Sequence, residues 1–290
     1  MRPSSWIFAI FTTLAMHLSA PAFAAAAATV EAVQAPAWRD RDGLTTALAP
    51  GMELNSGDVV RTGPNARTYL MLAEGSRVKL GESARFTFQS RGLQPERFFV
   101  GALDVLAGAF RFTTAKLAKM RPRDVSIRVG TATIGIRGTD LWGRTEADGD
   151  LVALLEGRIE IARAGSTTEL AQPWTYFDAP RGQAATVKAL DPQVFGNLAR
   201  QTEIQAGDGA ARATGNWHVL AAVAASEEAA LELFDRVREA GFAARIRPHR
   251  AGAQGWRYAV LVEGYSSADD AAVAMARLAA ATGLKPSVSR

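Results

Sequence analysis

Thr68-Tyr69-Leu70-Met71-Leu72, Ala73-Glu74-Gly75-Ser76 and Arg77-Val78-Lys79-Leu80 read in succession as a β-rich run, a glycine-containing turn and a second β-rich run. That pattern predicts a hairpin. Downstream, Phe86 and Phe88 alternate with Arg85 and Thr87, and Val125, Ile127 and Val129 alternate with Ser126 and Arg128. A period of two is what a strand with one buried face requires. Leu151 to Leu155, Glu156-Gly157 and Arg158 to Ile161 repeat the order of strand, turn and strand. Residues 25–187 are therefore expected to form an all-β, hairpin-rich domain.

The pattern changes after residue 187. Asp191-Pro192 predicts an N-cap and a first-turn proline for a short helix reaching about Ile204. Ala206 to Asn216 is small, polar and glycine-rich, and 188–216 is read as that helix followed by a flexible linker. From Trp217 strands and helices alternate. Trp217 to Val223 predicts a strand, Ser226 caps a helix with Ala230, Phe234 and Val237 on one stripe, and Gly241 ends it. Strands at 243–248 and 256–262, a helix from Ser267 to Gly283 and a strand at 285–288 complete a βαββαβ order, the ferredoxin-like arrangement of an α+β domain over 217–290.

Composition narrows the function. The chain has 290 residues, enough for about two domains at ~100–200 residues each. With 33 Lys+Arg against 29 Asp+Glu, the excess is too mild and too evenly spread for a nucleic-acid footprint. The absence of cysteine excludes disulfides, thiolate metal sites and cysteine nucleophiles. Met1-Arg2, the apolar run Trp6 to Leu18 and Ala22-Phe23-Ala24 form a signal sequence cleaved near Ala24, since the run is shorter than the ~20 residues of a membrane span. The processed chain is expected in the periplasm, with no membrane-spanning segment.

Catalytic constellations are weak. Gly130 to Gly135 begins like a phosphate loop, but Ile136-Arg137 replaces the lysine and hydroxyl residue. Ser76 and Lys79 match a serine–lysine spacing, yet on a strand they face opposite sides. Two histidines remain after processing, His218 and His249, too few for a histidine zinc site. No enzyme activity, metal or cofactor is expected. Binding has more support. Val219, Ile246, Val260 and Val262 should face the helices, together with Trp256 and Tyr258. His218, Leu220, Arg245, Arg247, Arg257, Ala259 and Leu261 should then line the open sheet face, where guanidinium donors beside apolar surface suit sugar hydroxyls, carboxylates and pyranose rings. Arg137-Gly138-Thr139 lies in an otherwise apolar strand. Arg137 is expected to pair with Asp58 or Glu156 or to meet a partner, and Gly138 to mark a bulge.

Leu54 to Gly63, Leu70 to Leu80, Ile136 to Leu141 and Leu155 to Ile159 together resemble a FecR-type domain over about 150 residues. The resemblance implies a β-rich periplasmic signalling or scaffold module whose membrane-bound relatives relay a signal from an outer-membrane transporter to a sigma factor. Trp217-His218-Val219, the helix from Ser226, Tyr258 to Val262 and Tyr265-Ser266-Ser267 resemble a SPOR domain, which implies binding of peptidoglycan glycan strands stripped of stem peptides. The combined expectation is a non-enzymatic envelope adaptor that binds denuded glycan through 217–290 and a protein or glycan partner through 25–187. The alternative is a periplasmic signal receiver acting through protein contacts alone.

Overall fold

A computed structural model of the chain describes residues 26–90, 99–114, 123–252 and 255–290. The expected signal sequence and its cleavage site lie outside the described residues. The first strands are β1 (Ala28–Gln34), β2 (Ala37–Arg41), β3 (Leu44–Ala47), β4 (Glu53–Leu54) and β5 (Val59–Thr62). The hairpin read from the sequence is β6 (Arg67–Leu72) and β7 (Arg77–Leu80), paired antiparallel around Gly75 at φ 92°. Next come β8 (Arg85–Ser90), β9 (Phe99–Thr113), β10 (Arg123–Val129) and β11 (Ala132–Thr145). β12 (Gly149–Arg163), β13 (Ser166–Leu170), β14 (Thr175–Pro180) and β15 (Thr186–Ala189) complete this half.

The long strands β9, β11 and β12 each serve two sheets. The first half of β9 pairs with β8 and, in parallel, with β10, while its second half pairs with β7 and β11. The changeover falls at Gly108, φ 82°, where a Cβ would stand 2.7 Å from Ala84 Cα. β11 and β12 bend together. Their register shifts between Arg137 and Asp140, Gly138 has φ 66° and Gly157 φ 87°, and a Cβ on Gly157 would meet the Gly138 carbonyl oxygen at 2.6 Å. Glu156-Gly157, expected as a turn, is instead a bulge inside one 15-residue strand. Two glycines at positive φ let neighbouring strands curve without reversing.

One sheet runs β3-β2-β5-β8-β9-β10-β11-β12-β13, the other β4-β1-β6-β7-β9-β11-β12-β14-β15. Phe86, Leu103, Ile127 and Ile161 from the first meet Leu70, Val78, Phe112 and Leu154 from the second in a shared core. Each such side chain, fully buried, contributes roughly 1.5–3 kcal/mol. The Gly130 turn has a structural role, because Asp150, almost wholly buried, accepts from Thr131 N at 3.1 Å, Thr131 Oγ1 at 2.9 Å and Thr145 Oγ1 at 2.6 Å.

The remaining elements are α1 (Pro192–Arg200), β16 (Ala210–Arg212), β17 (Trp217–Ala224), α2 (Glu227–Glu239), β18 (Ala244–Arg250), β19 (Trp256–Tyr265), α3 (Ala268–Thr282) and β20 (Ser287–Ser289). From β17 onward the βαββαβ order is present, in an antiparallel sheet β18-β19-β17-β20. Both helices begin at the expected caps: Ser226 accepts from Ala229 N and Ser267 from Asp270 N, and Gly283 at φ 69° ends α3. α1 starts as expected, with Asp191 accepting from Gln193 N, but stops at Arg200 rather than near Ile204. Contacts with the β-domain redirect the chain there: the Tyr69 hydroxyl accepts from Ile204 N at 2.6 Å, and Glu203 binds Lys79 Nζ at 2.6 Å, Arg111 Nη1 at 3.0 Å and the Tyr69 hydroxyl at 3.0 Å.

The stretch expected to be a flexible linker is held on both sides. Ala210 to Arg212 pairs with Gln34 to Ala32 of β1, and Ala211 pairs with Tyr265 of β19. Gly207 and Gly209 donate their N–H groups to Asp270 Oδ1 at 3.0 and 3.1 Å. A second junction joins Ala37 N to the Gly241 carbonyl at 3.1 Å and Trp38 Nε1 to the Glu239 carbonyl at 3.3 Å.

Asp270→Ala would leave two backbone donors without their acceptor, each worth about 1–3 kcal/mol where water cannot reach. The expected result is a lower urea midpoint and faster proteolysis within 206–216; an unchanged midpoint would show that the clamp does not support the fold. Burial pushes the Glu203 carboxyl up, but Lys79, Tyr69 and Arg111 outweigh it and hold it below the usual glutamate range. A carboxyl held low in the folded chain stabilises the fold fully above its unfolded value, and this contribution fades as pH falls through the folded value. Glu203→Gln should therefore lower the melting temperature at neutral pH, and the gap should close in acid below about pH 4. A gap independent of pH would contradict that linkage.

Candidate functional site

The sheet β18-β19-β17-β20 buries one face under α2 and α3, where Val219, Val260 and Val262 join Ala230, Val237, Ala271 and Leu278 in a core with Ile246 and Tyr258 packed against it. The opposite face carries the expected residues in cross-strand rows. His218 stands opposite Glu263; Leu220 opposite Leu261, which faces Arg245; Ala259 opposite Arg247; and Arg257 opposite His249. All seven residues expected on the open face are brought together by this register, although Leu261 is only 5% exposed and lies beneath its neighbours. It is a floor, not a projecting contact.

Three further residues share this face, and only one of them breaks the alternation. A register shift between Leu220 and Ala222 inserts one residue into β17, so parity changes and Val223, 49% exposed, faces Ala259 on the open side. His249 joins through its pairing with Arg257. Glu263 extends the series Arg257, Ala259, Leu261 by one more step of two, a signal present in the sequence. Its carboxylate forms an ion pair with Arg247 and lies 3.6 Å from Arg245 Nε. Both guanidiniums remain well exposed, at 74% and 60%. The Glu263 side chain is only 22% exposed, so the pair is half-sunk on the carboxylate side and open to a ligand on the guanidinium side. Trp256 keeps the helix-facing side by register, in step with Tyr258, Val260 and Val262, but is 55% exposed at the start of β19.

The second candidate, Arg137-Gly138-Thr139, is divided. Gly138 is the bulge, and Thr139 is buried, its N–H donating to Thr114 Oγ1 at 3.2 Å. The side chain of Arg137 lies outside the described residues. Asp58, one of its expected partners, is gripped by Arg41 through two contacts of 2.6 Å. Nearby, Asp140 takes both Arg111 Nε and Nη2, at 3.0 and 2.7 Å. Among the described residues no group of three His, Asp or Glu is placed to hold a metal ion, and no helix is long and apolar enough to cross a membrane.

Family models match the chain twice: "FecR protein" over residues 58–160 and "SPOR domain" over 213–290. No curated protein matches it. Two crystal structures of a candidate anti-sigma factor from Parabacteroides distasonis ATCC 8503 are similar. One, at 14% identity and TM-score 0.39, aligns over 47% of this chain and 61% of its own; the other, at 13% and 0.39, over 66% and 94%. The bent-strand region and the βαββαβ region thus coincide with two family matches, and the chain is a FecR-domain protein with a C-terminal SPOR domain.

Proposed function

We propose that this chain is a non-enzymatic cell-envelope adaptor, exported to the periplasm and processed near Ala24. Its ferredoxin-like SPOR domain binds denuded peptidoglycan glycan strands, and its FecR domain engages a protein or glycan partner. The observation that carries the reading is the open sheet face, where Arg245, Arg247 and Arg257 border an apolar floor of Leu220, Ala259 and Leu261. Guanidinium forks match carboxylates and sugar hydroxyls, and the floor accepts the CH-bearing side of a pyranose ring. His218 stands at the edge of that floor, beside Glu263.

Sacculus pull-down tests the reading. Replacing Arg245, Arg247 and Arg257 together by alanine should abolish retention while the melting curve stays near that of the native chain, since none belongs to the helix-facing core. Retention by the triple variant equal to the native chain would remove this face as the site. Glu263→Gln frees two guanidiniums from their internal partner and should raise retention severalfold at low salt, with the gain shrinking as screening shortens the reach of charge. A loss of retention in Glu263→Gln would mean that the carboxylate itself contacts the glycan.

A further inference from the structure

The outer face of the second sheet of the FecR domain carries one continuous row across six strands: Tyr69, Lys79, Arg111, Trp142, Ala153 and Tyr176, each paired with the next. Leu141 points into the core between the sheets, so Trp142 points away from it, yet Trp142 is fully buried. Its cover is α1. The Phe195 ring lies 5.6 Å from the Trp174 ring and 5.9 Å from the Arg111 guanidinium, and Arg67 donates to the carbonyls of Arg200 at 3.0 Å and Gln201 at 3.2 Å. α1 therefore crosses the strands as a strap.

The strap is held mainly at one end. α1 has nine residues and none is buried. It contains Gly196, which weakens a helix interior, and helices this short are marginal without packing. In the same row, next to Arg111, the buried Trp142 Nε1 has no hydrogen-bond partner among the described residues. The strong contact is Glu203, gripped by Lys79, Arg111 and Tyr69. Lys79 and Arg111 are only 18% and 23% exposed and need a carboxylate beside them. Next to Glu203, Met71, Arg77, Thr113 and Asp140, with Lys79 and Arg111, line a cleft of about 310 Å³.

We propose that this cleft is the docking site for an acidic polypeptide segment of a partner protein, and that the strap 191–205 is its built-in competitor, Glu203 occupying Lys79 and Arg111 until a partner carboxylate replaces it. The exchange substitutes one carboxylate for another, so no cation is left unpaired, and a second carboxylate of the incoming segment can reach Arg77, which lines the same cleft and is 45% exposed. Displacing Glu203 removes the main anchor of α1 and uncovers Trp142. The proposal rests on the reading of the FecR domain as the partner-engaging half and not on wall binding.

The test uses the full processed chain and a fluorescein-labelled tetraglutamate peptide, with tetraglutamine as the control. Glu203→Gln should bind tetraglutamate at least tenfold more tightly than the native chain, and neither should bind tetraglutamine. Equal affinities for tetraglutamate would overturn the competition. In the native chain, saturating tetraglutamate should accelerate tryptic cleavage after the exposed Arg200, and unchanged cleavage would overturn release of the strap. The second measurement decides the matter if Glu203→Gln does not fold. Sacculus retention measured in parallel separates the two readings, because its loss with peptide binding intact would overturn wall binding alone.

Discussion

A strand that belongs to two sheets has to bend, and at the bend its backbone must enter a region that side chains resist. Gly108, Gly138 and Gly157 supply that conformation in β9, β11 and β12. At Gly108 and Gly157 a Cβ would also stand within 2.7 Å of neighbouring backbone. The sandwich, the shared core and the cross-strand row beneath α1 follow from these positions, because each requires both halves of the long strands to lie in place. A mutation that added one methyl group at Gly157 would meet both obstacles, strain and collision.

The junction between the two halves has a different character. It is built from backbone groups and small residues: Ala210 and Ala211 packed into β16, Gly207 and Gly209 turned toward Asp270, and Gly241 set against Pro36 and Trp38. Asp270 does two tasks with one carboxylate. Oδ2 accepts from the Ser267 hydroxyl at the start of α3, and Oδ1 accepts from the incoming chain. The start of a helix and the docking of a distant segment are thereby set by the same side chain. Glycan held on the SPOR sheet would be connected to the FecR domain by hydrogen bonds, not by a loose tether.

What the sequence disclosed was local. The β6–β7 hairpin, the Ser226 and Ser267 caps and the Gly283 stop each depend on residues within one turn of one another, and each is found where expected. Glu156-Gly157 was misleading because a glycine at positive φ serves a turn and a bulge equally, and only the strand opposite decides between them. The stretch around β16 looked like a linker because small residues without periodicity also describe a strand pressed between two close neighbours. The open face was largely legible by counting in twos. The bulge after Leu220 spoiled the count for Val223, and Glu263 lay one step past the last residue considered.

The pairing of β1 with β16 also bears on how the chain reaches its native state. Ala32 to Gln34 are joined to residues roughly 180 positions later in the sequence, so this edge of the second sheet is closed by a segment synthesised long after β1. Until that segment arrives, a newly made chain displays unpaired strand backbone along β1, a template for pairing with other chains. Contacts of such long sequence separation also slow folding. The interval between emergence and closure is thus when this protein is most exposed to self-association and most open to an assisting chaperone.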